Sequence, residues 1–146
     1  MPARLLSPHE LRVWHAFRAL HEDVQARVGR DLSDATGLSG SEFGVISRLA
    51  AIGKGEMRQQ ELARVMGWDK SRLSHQLTRM SKRALIERRK VDPKSVLVVL
   101  TQFGREKLEA ARPIHARSVR RNLLSRLTPE QIDTIVRISN LIGDEP

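Results

Sequence analysis

Asp69-Lys70-Ser71-Arg72-Leu73-Ser74-His75-Gln76-Leu77-Thr78-Arg79, DKSRLSHQLTR, contains two kinds of surface. Leu73, Leu77 and the following Met80 recur at spacings of four and three, the repeat of one buried helix face. On the wheel set by those three, Ser71, His75 and Thr78 point away from the core, and Arg72, Ser74 and Arg79 flank them. After Asp69 the stretch has no carboxylate. A solvated helix face ordinarily mixes both signs of charge, so a face of donors and cations alone implies a polyanionic partner.

The flanking residues place this helix in a larger unit. Gln59 to Met66 reads as a short helix stopped at Gly67, and Asp69 is positioned to cap the helix that follows. Beyond it, Leu85 to Val91 and Val96 to Thr101 are short runs rich in β-branched residues. Asp92-Pro93-Lys94-Ser95 separates them, which predicts a hairpin. That hairpin carries Arg88, Arg89, Lys90 and Lys94. Two short helices joined across a glycine and followed by a basic hairpin predict a winged helix-turn-helix. In such a unit the second helix enters the major groove and the hairpin lies along the neighbouring backbone or minor groove.

The expected DNA-facing residues are therefore Lys70, Ser71, Arg72, Ser74, His75, Thr78, Arg79, Arg88, Arg89, Lys90 and Lys94. Arg72 and Arg79 have the fork geometry to bond guanine, while the hydroxyls suit phosphates or base edges. Lys54 and Arg58 are further candidates for phosphate contact, each equally readable as solvated. Trp68 reads as a packing residue.

Outside this unit the pattern is helical. Ser7-Pro8-His9-Glu10 is a capping box, followed by Val13, Phe17, Leu20, Val24 and Val28, which predicts a helix to about Gly29. Asp31 to Gly37 reads as a loop. Ser39-Gly40-Ser41-Glu42 opens a second helix that ends at Gly53 and Gly55. Thr101 caps a long helix through Phe103, Leu108, Ala111 and Ile114, with Pro113 marking a bend. Thr128-Pro129-Glu130-Gln131 opens the last helix, through Ile132, Ile135, Val136, Ile138 and Leu141. The expected fold class is mainly α with a small β-hairpin wing, in one domain spanning 1–146.

Charge distribution supports the same division. The 146 residues carry 26 Lys and Arg against 17 Asp and Glu, a net charge of +9. Residues 54–94 alone hold twelve basic and five acidic side chains, whereas residues 1–53 hold six of each. The excess is thus concentrated around the opening stretch.

Absent residue types exclude several functions. With no cysteine, disulfides, thiolate metal sites and thiol redox sensing are ruled out. No apolar run suits a signal peptide or a membrane span, so a soluble, cytoplasmic protein without membrane contact is expected. His9, His15 and His21 are six apart, a rotation of about 240° between successive rings, and cannot converge on a metal from one helix. No nucleophile–base pair, phosphate-cradling glycine loop or zinc spacing is present. The expectation is no enzyme activity, no metal and no cofactor. Trp14, Phe17 and His21 do share one side of the first helix; they could line a pocket for an aromatic ligand, or be core or dimer interface.

These residues together resemble the MarR family of bacterial transcription regulators, over nearly the whole chain. The most specific parts are Gln60-Glu61-Leu62-Ala63, the helix Ser71 to Met80, and the run Val96 to Arg105, which resembles the family's wing strand leading into "LT-x-x-G". The resemblance implies a homodimer in which the first and last two helices interleave with the partner's. About 39–101 would form the DNA-binding lobe, and about 7–30 and 102–143 the dimerisation helices. It implies a repressor that binds a pseudo-palindromic operator. It also implies a small aromatic effector held near Trp14, Phe17, His21 and Phe43. Two positions depart from the family pattern: Lys94 stands where the wing usually carries arginine, on a shorter tip, and Ala84 where the recognition helix commonly ends in glycine. A different class stays open as the alternative, a winged-helix interaction module for RNA or an acidic protein partner.

Overall fold

The computed structural model describes residues 4–143. Its elements run α1 (Pro8–Thr36), α2 (Gly40–Ala51), β1 (Glu56–Arg58), α3 (Gln59–Met66), α4 (Lys70–Lys82), β2 (Ile86–Asp92), β3 (Ser95–Leu100), α5 (Gln102–Asn122) and α6 (Pro129–Gly143). A single 3-10 turn, Leu124–Arg126, separates the last two helices. None of the described helices is long and apolar enough to cross a membrane.

The chain divides into two compact units, one of residues 29–115 and one of 1–28 with 116–146. In the first, the core is the meeting of α2, α3, α4 and the sheet. Leu38, Val45, Ile46, Leu49, Leu62, Leu73, Leu77, Met80, Leu85, Val98 and Leu108 are all fully buried there. The three strands are antiparallel in the order β1-β3-β2. Ile86 pairs with Leu100 and Met57 with Val98, which turns the apolar side chains of all three strands toward the helices. A helix-turn-helix with a hairpin wing is therefore the observed fold, as the sequence predicts.

All three capping boxes form. Ser7 and Glu10, Ser39 and Glu42, and Thr128 and Gln131 each exchange side-chain-to-backbone bonds of 2.7–3.2 Å. Each pair satisfies two N–H groups that the first turn would otherwise leave open.

One expectation is corrected. Residues 31–36 are helical, not a loop, and α1 runs through Gly29 to Thr36. Val28 and Leu32 continue the apolar stripe and are buried at 7% and 1% exposure. Gly29 stays helical where the backbone of Gly40 passes close by, 3.9 Å from where a Cβ would lie. The helix stops at Gly37, whose φ of +75° is the left-handed conformation that glycine adopts without strain. The strand β1 lies where the sequence carries no reading. Three residues are too short to display a period of two, so only pairing with β3 reveals this strand.

The other unit is held differently. Its helical segments expose Val13, Phe17, Leu20, Val136, Ile138 and Leu141, each by 48–77%. Those residues fall on the stripes read from the sequence, yet they are not covered within this unit.

Candidate nucleic-acid interface

The interface is built on α4. Asp69 adopts an extended conformation (φ −67°, ψ 161°), and its carboxylate accepts the Arg72 N–H at 2.8 Å, which starts the helix. Leu73, Leu77 and Met80 anchor one side with no exposed surface. Lys70, Ser71, Arg72, His75 and Arg79 are exposed on the other, with Ser74 and Thr78 half-buried between. The first turn holds no acid. Lys70 and Arg72 there oppose the positive end of the helix dipole, an unfavourable placement that an incoming phosphate would reverse.

Most of the arginines near this face are tied to the protein. Gln76, only 8% exposed, accepts from the Arg79 guanidinium at 2.6 Å. Arg88 reaches from β2 to donate to the Thr78 hydroxyl at 2.9 Å, and that hydroxyl donates in turn to the Ser74 carbonyl at 3.0 Å. Thr78 thus joins the helix to the wing and does not stand free on the outward face. Arg89 pairs with Glu87 at 3.2 Å, both exposed.

Lys90 and Lys94 are exposed on the wing. The wing turn is only Pro93-Lys94. Asp92 closes it by accepting the Lys94 N–H at 2.9 Å. Arg58, at the end of β1, bonds the Ser95 hydroxyl and lies 3.8 Å from the Asp92 carboxylate.

A hollow of about 240 Å³ opens between the start of α4 and the wing turn. Arg58, Lys70 and Lys94 line it, with Gln59, Gln60 and Ser95. Three cations beside the first turn of α3 suit a backbone phosphate. Of these, the sequence left Gln59, Gln60 and Ser95 unmarked. Nothing in their spacing signals the role, because only sheet pairing brings β1 and the wing turn together.

Each of the two units holds aromatic residues of its own. Phe17 and His21 line a hollow of about 250 Å³ with Leu20, Val24, Gln25, Leu123 and Ile135. Trp14 stacks on Phe17, with ring centroids 6.1 Å apart, and is not part of that lining. Phe43 belongs to the other unit, where it is buried and stacks on His115 at 4.4 Å. Burial holds the His115 imidazole below its ordinary pKa. His115 shares the helical phase of the buried Leu108 and Ala111, which is the local signal for its place. Among the described residues no group of three or more His, Asp or Glu could hold a metal ion.

The helix-turn-helix and its wing coincide with a known family. The MarR family profile matches residues 36–94. AbsC, a MarR family transcriptional regulator from Streptomyces coelicolor, has a similar crystal structure. Its TM-score is 0.85 and its identity 29%, over 97% of this chain and 97% of that one. Sco3205, a MarR family regulator from the same organism solved in complex with DNA, gives a TM-score of 0.87 and 28% identity, over 99% of this chain and 93% of that one. The S. aureus MepR–DNA complex, at 18% identity, shares the fold, with a TM-score of 0.77 over 88% of this chain and 94% of that one. No curated protein sequence matches the chain. The profile on the DNA-binding unit and the fold along nearly the whole length are thus similar to those of MarR family transcriptional regulators.

Proposed function

We propose that this protein is a homodimeric repressor that binds a pseudo-palindromic operator in the cytoplasm, acting by binding and not by catalysis. One observation carries the reading: the exposed face of α4 is free of acid and continues into wing lysines that pair with no carboxylate among the described residues. In this reading residues 39–101 meet DNA, with Arg72 and Arg79 on base edges. Ser71, Ser74, His75 and the wing cations Arg88, Arg89, Lys90 and Lys94 lie along phosphates and groove walls. Segments 7–30 and 102–143 dimerise, which the uncovered apolar residues of α1 and α6 support.

Selection from a random duplex pool tests this directly. The expected result is an inverted repeat whose affinity falls linearly with log salt, at a slope of about −0.9 per neutralised phosphate. Equal affinity for single-stranded RNA or an acidic protein, with no recovered repeat, would replace the operator reading by that of a general interaction module.

The regulating signal in this reading is a small aromatic anion in the hollow lined by Phe17 and His21, beside Trp14. An apolar floor with one imidazole at its edge suits a phenolic acid. A tenfold loss of operator affinity needs about 1.4 kcal/mol of coupling, and linkage requires operator DNA to weaken the ligand equally. Calorimetric titration of a phenolic acid, with and without operator, measures both. Unchanged ligand affinity in a His21→Ala, Phe17→Ala variant would move the site elsewhere.

A further inference from the structure

We propose that Trp68 is a positioning residue that presents the Arg72 guanidinium to a base, a role that rests on the DNA-binding reading above. The Arg72 guanidinium carbon lies 4.0 Å over the Trp68 ring. That contact is a cation–π interaction, which holds one face of the planar group and leaves its N–H edge open. Among the described residues no protein acceptor takes a bond from the Arg72 side chain. The other arginines bordering this face are all engaged: Arg79 by Gln76, Arg88 by Thr78, Arg89 by Glu87, and Arg58 by Ser95. Arg72 is thus held in place without using its donors.

Its position is the useful one. Arg72 lies in the first turn of α4, the end of a recognition helix that reaches base edges. Trp68 is itself anchored, since its N–H bonds the Ala63 carbonyl at 3.0 Å across the turn at Gly67. That backbone bond ties Trp68 to the turn of the helix-turn-helix, and the residue is half-buried there. A flexible arginine would have to be ordered on binding; one already stacked loses less freedom, and a fork with a free edge matches guanine O6 and N7.

The test uses the full chain with Trp68→Phe, Trp68→Leu and Arg72→Ala, and selection from a random duplex pool. Trp68→Leu should lose about tenfold discrimination at one position of each half-site, while the salt slope stays unchanged. Trp68→Phe should keep most of it, because a phenyl face still receives the cation. Arg72→Ala added to Trp68→Leu should cause little further loss. A merely structural Trp68 would weaken all sequences alike and give additive losses, which would overturn the proposal. Should Trp68→Leu fail to fold, Trp68→Met with and without Arg72→Ala gives the cycle, because a thioether offers the cation no aromatic face, and additivity there is equally fatal. If the wild-type protein recovers no motif, the DNA-binding reading fails and this inference with it. A recovered motif with additive losses defeats the inference alone.

Discussion

Ala84 and Gly104 show how much a single Cβ decides where α4 hands over to the wing. Ala84 has φ +59°, the left-handed region in which a side chain crowds its own backbone. Its carbonyl accepts from the Thr101 hydroxyl at 2.6 Å, so the conformation is held from across the sheet. Ala84→Gly should relieve the crowding and raise stability by up to about 1 kcal/mol after the loss of chain entropy, measured by urea denaturation. Gly104 is the opposite case. A Cβ there would sit 2.1 Å from the Leu85 carbonyl oxygen, a backbone atom that cannot swing away. Gly104→Ala should therefore cost more than about 2 kcal/mol, read by the same denaturation. An Ala84→Gly protein that melts earlier than wild type would contradict the strain argument.

At the scale of elements, the Glu42–Arg83 contact joins three helix ends. Arg83, the residue capping α4, donates to both Glu42 carboxylate oxygens at 2.5 and 2.6 Å and to the Gly37 carbonyl at 3.1 Å. Glu42 is 5% exposed, and it also closes the α2 capping box. Glu42→Ala should cost about 1–3 kcal/mol; the half-exposed arginine places it below a fully buried pair. Ser39→Ala, which removes only a cap, should cost about 1 kcal/mol. Equal losses would mean that Arg83 adds nothing.

The packing of α2 on α5 predicts a pH dependence. His115 lies against Phe43, and burial lowers its pKa in the folded state. Above the unfolded value, near 6.5, both states are neutral and its contribution is fully present. As pH falls below that value, the unfolded chain takes up a proton first, so stability declines down to the folded pKa. Thermal melting from pH 7.5 to 5 should show this decline, and His115→Phe should flatten it. A slope unchanged in that variant would assign it to other groups.

For the whole molecule, the contrast between the units matters most. Residues 29–115 contain nearly all the fully buried side chains, while Val13, Phe17, Leu20, Val136 and Ile138 stand half-exposed on the helices outside it. So much apolar surface on a charged protein calls for a partner surface, and a second copy of the chain supplies it in the proposed dimer. Leu20→Asp should then convert dimers to monomers in sedimentation at micromolar concentration, because a carboxylate buried in that interface costs several kcal/mol. A wild-type chain that sediments as a folded monomer would refute the proposed assembly.

The features legible in the sequence were those governed by neighbours a few residues apart. Capping boxes at Ser7, Ser39 and Thr128, the stop at Gly67, the apolar phase of α4 and the basic hairpin all follow from short-range bonding and from period. Together with the charge concentrated in 54–94, they were enough to single out the acid-free face of α4 that is proposed to meet DNA. Features that depended on distant segments meeting were decided only by tertiary structure. Helix α1 continues past Gly29 alongside the Gly40 backbone, and β1 is a strand because it pairs with β3. Thr78 is tied to the wing because Arg88 crosses from β2 to bond it. Phe43 stacks on His115, seventy-two positions along the chain, a contact that no local pattern announces. Helical phase says which way a side chain points, but only the packed core says what it meets there.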